Sequence, residues 1–369
     1  MRARQPLIAF LLVLANCGGR SGLLGGEAGD GSAGAVGVTH AGAMNSGGGG
    51  AAGGGAAGGG AAGGGLVRDW MTLSYTAPTP PSNDFTWHGA PARFADVWAD
   101  AAGSVWVVAS TANYKGPSTC DVRRWSQGSW QGKETAFLYA GSLSGLSSSD
   151  LWLAAGGVGV EHHDAAGWTP LAEPAASLVW EDSATDVWSC CTGPTEAGGA
   201  YRAKHFDGDR WLDLDLPALS DFIPTGLWAR SVSDLFIVGS AGFLLHWDGT
   251  AWQAQADPGA VHWNAIWGNA QAVWAVGTDA AVARWDAAGW QRIPTSSVLA
   301  RVVAFNDVWG NESGRVWIVG EQGIVLDWDG STLQHDDPGT AVSLNAVWGA
   351  GGVLWAAGDD ETLISRRYE

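Results

Sequence analysis

Positive charge is scarce in this chain: 19 Lys and Arg stand against 37 Asp and Glu over 369 residues, for a formal net charge of −18 at pH 7. Contact with a phosphate backbone releases counterions only where basic side chains are dense, so no nucleic-acid partner is expected. Helical periodicity is missing too. From Leu66 onward no run of ten or more residues repeats its apolar positions at helical spacing, which leaves strands as the building elements. Near the start, the unbroken apolar run Leu7 to Leu14 is too short to span a bilayer as a stable helix.

Glycine and tryptophan, by contrast, are abundant, and they are unevenly placed. Of 56 Gly, 23 fall among the 48 residues from Gly18 to Gly65, whereas all 24 Trp lie beyond Leu66. The segment from Leu66 to Glu369 holds 16 basic and 35 acidic residues, a net of −19, and is long enough to bury a large core. Three domains follow: residues 1–17, a tether over 18–65, and a folded head over 66–369.

Arg2 and Arg4 precede the short apolar run, the order found in an export signal. The run closes on Leu14-Ala15-Asn16-Cys17, which resembles the lipobox of bacterial lipoproteins, although Asn16 stands where that family has Gly, Ala or Ser. The resemblance implies cleavage before Cys17 and a diacylglyceryl group on its sulfur; plain secretion, with Cys17 merely beside the cut, is the alternative. Gly18 rather than Asp after the Cys is compatible with outer-membrane sorting in a host with two membranes. The Gly triplets and Ala pairs from Gly47 to Gly65 cannot bury apolar surface and are expected to form a disordered tether. At coil dimensions, 18–65 would span about 35 to 40 Å on average.

The head is a repeat. Apolar quartets end at Val105-Trp106, Leu151-Trp152, Val187-Trp188, Leu235-Phe236, Val273-Trp274, Val316-Trp317 and Leu354-Trp355, seven copies spaced 36 to 48 residues apart. Within a copy an apolar stretch ending in Trp-Gly or a relative comes first, and the quartet aromatic follows seven or eight residues later. A third stretch then leads into a turn whose flanking positions stand five residues apart in six copies: Trp125 and Trp130, His163 and Trp168, Phe206 and Trp211, Trp247 and Trp252, Trp285 and Trp290, Trp328 and Leu333. Asp with a nearby Gly, as in Asp248-Gly249, is hairpin chemistry, so one turn geometry is reused. About forty residues and four strands per copy predict an all-β, seven-bladed β-propeller. Copy seven ends before its fourth strand, and the orphan Trp70 to Tyr75 resembles one, so the N-terminal strand is expected to close the last blade.

These motifs resemble the Trp-rich propeller repeats of bacterial surface lipoproteins and, more distantly, the sialidase-like propellers with BNR or Asp-box repeats and the photosystem II assembly-factor type. Asp248 lies four rather than five residues before Trp252, which departs from an Asp-box. The Trp-Asp dipeptides are also similar to WD40 repeats, but no Gly-His pair precedes them in these blades.

Several motifs carry little. Gly157 to Val160 lacks the third Gly and the following helix of a dinucleotide fingerprint, and Gly132-Lys133 is followed by Glu134 rather than Ser or Thr. His162 and His163 point to opposite faces of a strand, and Asp213 and Asp215 belong to no calcium loop, so neither a metal nor a cofactor is expected. Departures from the repeat are more informative. The quartet aromatic stands 11 residues before the turn aromatic in five copies, but 19 in copy one and 18 in copy three. Insertions of eight and seven residues thus share one loop and one face, which marks a candidate binding side bearing Tyr114, Lys115, Glu196 and Tyr201. Cys120, Cys190 and Cys191 lie at the same insertions. Either Cys120 pairs with Cys190 or Cys191 and staples the two loops, the arrangement ranked first, or Cys190 and Cys191 pair with each other; three buried thiols are the plain alternative. Asn264, Asn306 and Asn345 share one position of the first strand; they form a partial polar ring in the channel if that strand is innermost, unless they bond neighbouring backbone.

The expectation is an exported, lipid-anchored monomer on the outer membrane or cell surface, held to the membrane by its lipid. Its head would bind or scaffold an envelope protein or glycan without catalysis. The alternative is a sialidase-like envelope glycosidase or lyase, which would gather Arg, Tyr and carboxylates at the channel mouth.

Overall fold

A computed structural model describes residues 70–73, 92–111, 119–137, 141–155, 159–171, 176–192, 201–217, 222–255, 262–286 and 288–368. Cys17 and the tether lie outside them. Seven antiparallel sheets of four strands follow one another along the chain, blades 1 to 7, over residues 93–137, 143–170, 178–215, 224–254, 263–292, 305–336 and 344–367. The first strand of each blade packs on the first strands of its two neighbours, so it is innermost, and the ring is a seven-bladed propeller. Second strands such as Val273–Gly277 and Val316–Gly320 are buried along their whole length. That burial explains why their sequences are apolar on both faces rather than alternating: each is covered by a blade on either side.

The repeated turn has the expected register. All six spaced pairs stand directly opposite one another across the third and fourth strands, including Trp125 and Trp130, His163 and Trp168, and Trp328 and Leu333. In blade 4 Asp248 Oδ1 accepts the backbone N–H groups of Thr250 and Ala251, each at 2.9 Å, and Gly249 takes φ of 87°. The Thr250 hydroxyl and these amides hold the Asp248 carboxyl well below the usual carboxylate range, so the turn keeps its acceptor at any ordinary pH.

Closure is as the ends of the repeat predict. Met71 pairs with Ser365 and Thr72 with Ile364, and the Leu73 N–H donates to the Leu363 carbonyl at 2.8 Å. The N-terminal segment is therefore the fourth strand of blade 7. Arg366 holds the place of the turn aromatic, with its guanidinium 5.1 Å from the Trp70 ring centroid; it is 4% exposed and pairs with Asp336 at 2.5 Å and Asp327 at 3.4 Å.

Every junction between neighbouring blades is also clasped by a side chain bonded to backbone across the inner strands. Asp96 accepts the Leu143 N–H and Ser142 that of Val179, each at 2.8 Å; Trp180 donates to the Ala229 carbonyl at 3.1 Å and Thr225 to that of Trp263 at 2.5 Å. Asn264, Asn306 and Asn345 complete the circuit, donating to the carbonyls of Phe305, Leu344 and Phe94 at 2.8, 2.9 and 3.0 Å. All three Asn are buried. The first strand is innermost, as the channel reading required, but these amides are used between blades and are not presented to the channel, because a buried amide needs a partner that the next strand supplies.

Candidate functional site

Six of the seven first strands carry a Trp opposite the second-strand aromatic: Trp98, Trp180, Trp228, Trp267, Trp309 and Trp348. Each indole lies against the residue that follows the corresponding position in the next blade, and that residue is small. Trp98, Trp180 and Trp348 donate through Nε1 to the carbonyls of Gly145, Ala229 and Ala99. A Cβ on Gly268 would stand 2.8 Å from the Trp228 ring and one on Gly310 2.6 Å from that of Trp267, and Gly349 meets Trp309 in the same way. The Trp-Gly signature thus has a cause: the glycine belongs to the preceding blade's tryptophan.

One junction breaks the pattern from both sides. In blade 2 the position opposite Trp152 is Ser144, and in blade 3 the residue after Trp180 is Glu181, where the other blades have Gly or Ala. The missing indole leaves the room that Glu181 fills. Ser144 Oγ accepts the Glu181 N–H at 2.8 Å, yet Glu181 is only 4% exposed and its carboxylate has the Trp152 indole and the Leu146 amide nearby without a well-formed hydrogen bond to either. Burial, and then the nearby Asp150 carboxylate, push its pKa up to about 8, only partly opposed by the Trp152 indole and the Leu146 amide. At neutral pH Glu181 is therefore mostly a neutral acid.

Beside this junction, between blades 2 and 3, a groove of about 530 Å³ opens at the end formed by the turns between first and second strands. Asp150, Trp152, His162, Phe206, Asp209 and Trp211 are among its walls. His162 Nε2 lies 2.7 Å from Asp150 Oδ1, and the His162 ring stacks on Trp152 with centroids 4.4 Å apart. His163, on the other strand face, packs between Trp106 and Trp168 at 5.0 Å from each, so the His pair is divided between two interfaces. No group of three or more metal-ligating side chains is found among the described residues. Asp213 and Asp215 are paired with Lys204 and Arg202, each at 3.1 Å, which accounts for both carboxylates.

The two insertions join second to third strands, between Thr111 and Thr119 in blade 1 and between Thr192 and Arg202 in blade 3, so they leave the ring at the end opposite the groove. Tyr114, Lys115 and Glu196 lie outside the described residues. Tyr201 is half-buried at the foot of the second insertion, edge-on to Phe222 at 6.0 Å, and burial raises its hydroxyl pKa. Cys190 and Cys191 are bridged to each other across a cis peptide bond. Of the two pairings the sequence allows, the structure places Cys190 against Cys191. Cys120 is buried in the core between blades 1 and 2 and is not a free thiol. The Ser144 and Glu181 pair escaped the sequence reading, although both residues stand out as exceptions to the Trp-Gly pattern.

No protein-family model matches the chain, and no curated protein matches it in sequence. Solved structures do. YCF48 from Cyanidioschyzon merolae superposes with a TM-score of 0.57 at 15% identity, covering 81% of this chain and 99% of that one, and a second structure shows YCF48 bound to a D1 peptide. A catalytically inactive virginiamycin B lyase from Staphylococcus aureus, solved with quinupristin, gives 0.57 at 13% identity over 82% and 99% of the two chains. The WD40 propeller domain of Doa1 gives 0.58 at 13% over 82% and 97%. Likeness at these identities establishes the class of fold, a seven-bladed β-propeller.

Proposed function

We propose that this protein is an exported, lipid-anchored propeller whose head binds a protein or glycan partner at the cell envelope without catalysing a reaction on it. The observation that carries the reading is positional. The two long second-to-third-strand connections leave the same end of the ring, at blades 1 and 3, and so can grip one partner. YCF48, of the same fold, has been solved with a peptide bound, which supports a binding role.

A propeller lyase shares the fold as well. At the end carrying the insertions, however, described Arg and carboxylate groups face each other: Arg93 pairs with Asp359 at 3.3 Å, and Arg123 with Asp121 at 2.7 Å and Glu361 at 3.2 Å. Charges neutralised in this way hold loops together; an unpaired cluster awaiting a substrate would favour the enzyme.

Deleting 112–118 and 193–200 from the mature chain is expected to abolish its capture of envelope protein or glycan while leaving the melting transition in place. Unchanged capture by the shortened chain would sink the binding-face reading. The anchor has its own check: labelled fatty acid fed to expressing cells should enter the native chain and not Cys17→Ser, and equal labelling of the two would remove Cys17 as the lipid site.

A further inference from the structure

We propose that the groove between blades 2 and 3, at the end of the ring opposite the insertions, receives an arginine side chain from a protein partner, with Asp150 as counter-charge and Phe206 as the ring face it lies against. This goes beyond the binding face proposed above and concerns a different surface.

The chain itself displays the occupied form of such a groove two junctions further on. Arg230, two residues past Trp228, places Nη1 2.6 Å from Asp234 Oδ2 and its guanidinium carbon 5.5 Å from the Trp228 ring centroid and 5.7 Å from that of Trp285. The other carboxylate oxygen of Asp234 takes His246 Nε2 at 2.7 Å, and His246 stacks on Phe236 at 4.3 Å. Blades 2 and 3 reproduce that setting except on the first strand, where Ser144 stands in the place of Trp228. Asp150 opens its strand as Asp234 does, His162 lies on Trp152, and Phe206 and Trp211 stand where blade 5 has Trp285 and Trp290.

The cation and the first-strand indole are what this groove lacks. The position of Arg230 is held in blade 2 by Leu146, an apolar side chain left 50% exposed. Asp150 Oδ1 is engaged by His162, while Oδ2 has no hydrogen-bond partner among the described residues, and the groove between Asp150 and Phe206 is open. Guanidinium suits the site better than ammonium, since its planar fork can meet a carboxylate and a ring face together. A second observation agrees. Glu181, buried behind Trp152, feels the repulsion of Asp150 and stays mostly protonated at neutral pH, so Asp150 is the charged carboxylate of the junction, and no Arg or Lys among the described residues pairs with it. The acidic head, at 35 acidic to 16 basic residues, would draw a basic segment toward it.

The test uses the full chain and two blocked tripeptides, acetyl-Gly-Arg-Gly-amide and its citrulline counterpart, which keeps the shape without the charge. Saturation-transfer NMR reads their affinities for the native protein, Asp150→Asn and Leu146→Arg. Leu146→Arg supplies the chain's own guanidinium, as blade 4 does. The arginine peptide should bind the native chain about tenfold or more tighter than the citrulline peptide, and both variants should lose about tenfold in affinity for it. Leu146→Arg should also melt no lower than the native chain. Equal binding of the two peptides, binding of neither, or native-like binding by a folded Leu146→Arg would each overturn the proposal. If Leu146→Arg does not fold, unchanged affinity in Asp150→Asn overturns it alone. Deleting the insertions leaves this result untouched, so the two readings fail separately.

Discussion

Joining Ser144→Trp to Glu181→Gly should give a head as stable as the native one or more so, although near pH 4.5, where Glu181 carries no ionisation cost, each change alone should destabilise it. Ser144→Trp by itself drives an indole into the space held by a buried Glu181 side chain, an overpacking that costs about 1 to 3 kcal/mol. Glu181→Gly by itself empties that space and leaves a void beside Trp152, at a comparable cost. Together they rebuild the arrangement that the other six junctions use, an indole over a small residue. The two changes should therefore be strongly non-additive, with a coupling above about 1 kcal/mol in thermal or denaturant unfolding. Additive losses would mean that the two exceptions do not compensate each other.

The same junction sets a pH dependence. Glu181 has its pKa raised from 4.5 to about 8 in the folded head, so between those values the folded state keeps a proton that the unfolded chain releases. Stability from this group is fully present below pH 4.5 and is lost as pH rises toward 8, levelling off above. At 1.4 kcal/mol per unit, the full loss is roughly 3 to 5 kcal/mol. Glu181→Gln, neutral at every pH, should remove that part of the slope, which the difference between its melting curve and the native one isolates. Parallel curves from about pH 5 to pH 9 would show that Glu181 finds a partner or solvent when it ionises.

Much of the fold was legible because its signals are local. Five-residue spacing about an Asp turn places Trp247 opposite Trp252 with no knowledge of the rest of the chain, and the leftover Trp70 segment could be matched to a missing strand by composition alone. The contacts that escaped run between copies. Asn306 is bonded to Leu344 in the next blade, so a shared position in the repeat says that the three Asn do the same thing but not whether the partner is channel water or a neighbouring carbonyl. Ser144 and Glu181 are each visible as an irregularity, and only the ring shows that the two irregularities touch. Cysteine pairing is illegible for a related reason: two adjacent thiols and a third in another blade allow more than one ring, and spacing along the chain does not choose among them.

Closure of that ring carries the other large expected effect. Removing residues 66–75 should abolish a soluble, cooperatively melting head, whereas removing 18–65 should leave its melting temperature within a degree or two. The small hydrogen-bonded area understates what the segment does. Pairing of Met71 and Thr72 with blade 7 covers the outer edge of the strand Leu363–Arg367, whose free N–H and C=O groups would otherwise recruit another chain. Trp70 covers the guanidinium of Arg366 and donates to Asp336 at 3.2 Å, so its loss exposes a buried network in which Arg366 joins Asp336 to Asp327. Losing a large aromatic anchor of this kind costs about 3 kcal/mol before the ladder is counted. Trp70→Ala should accordingly reproduce much of the deletion's effect, read as a lowered melting temperature and a larger aggregated fraction. A deletion of 66–75 that melts like the native chain would show that blade 7 is stable with three strands and that closure rests on the clasp of Asn345 to Phe94 instead.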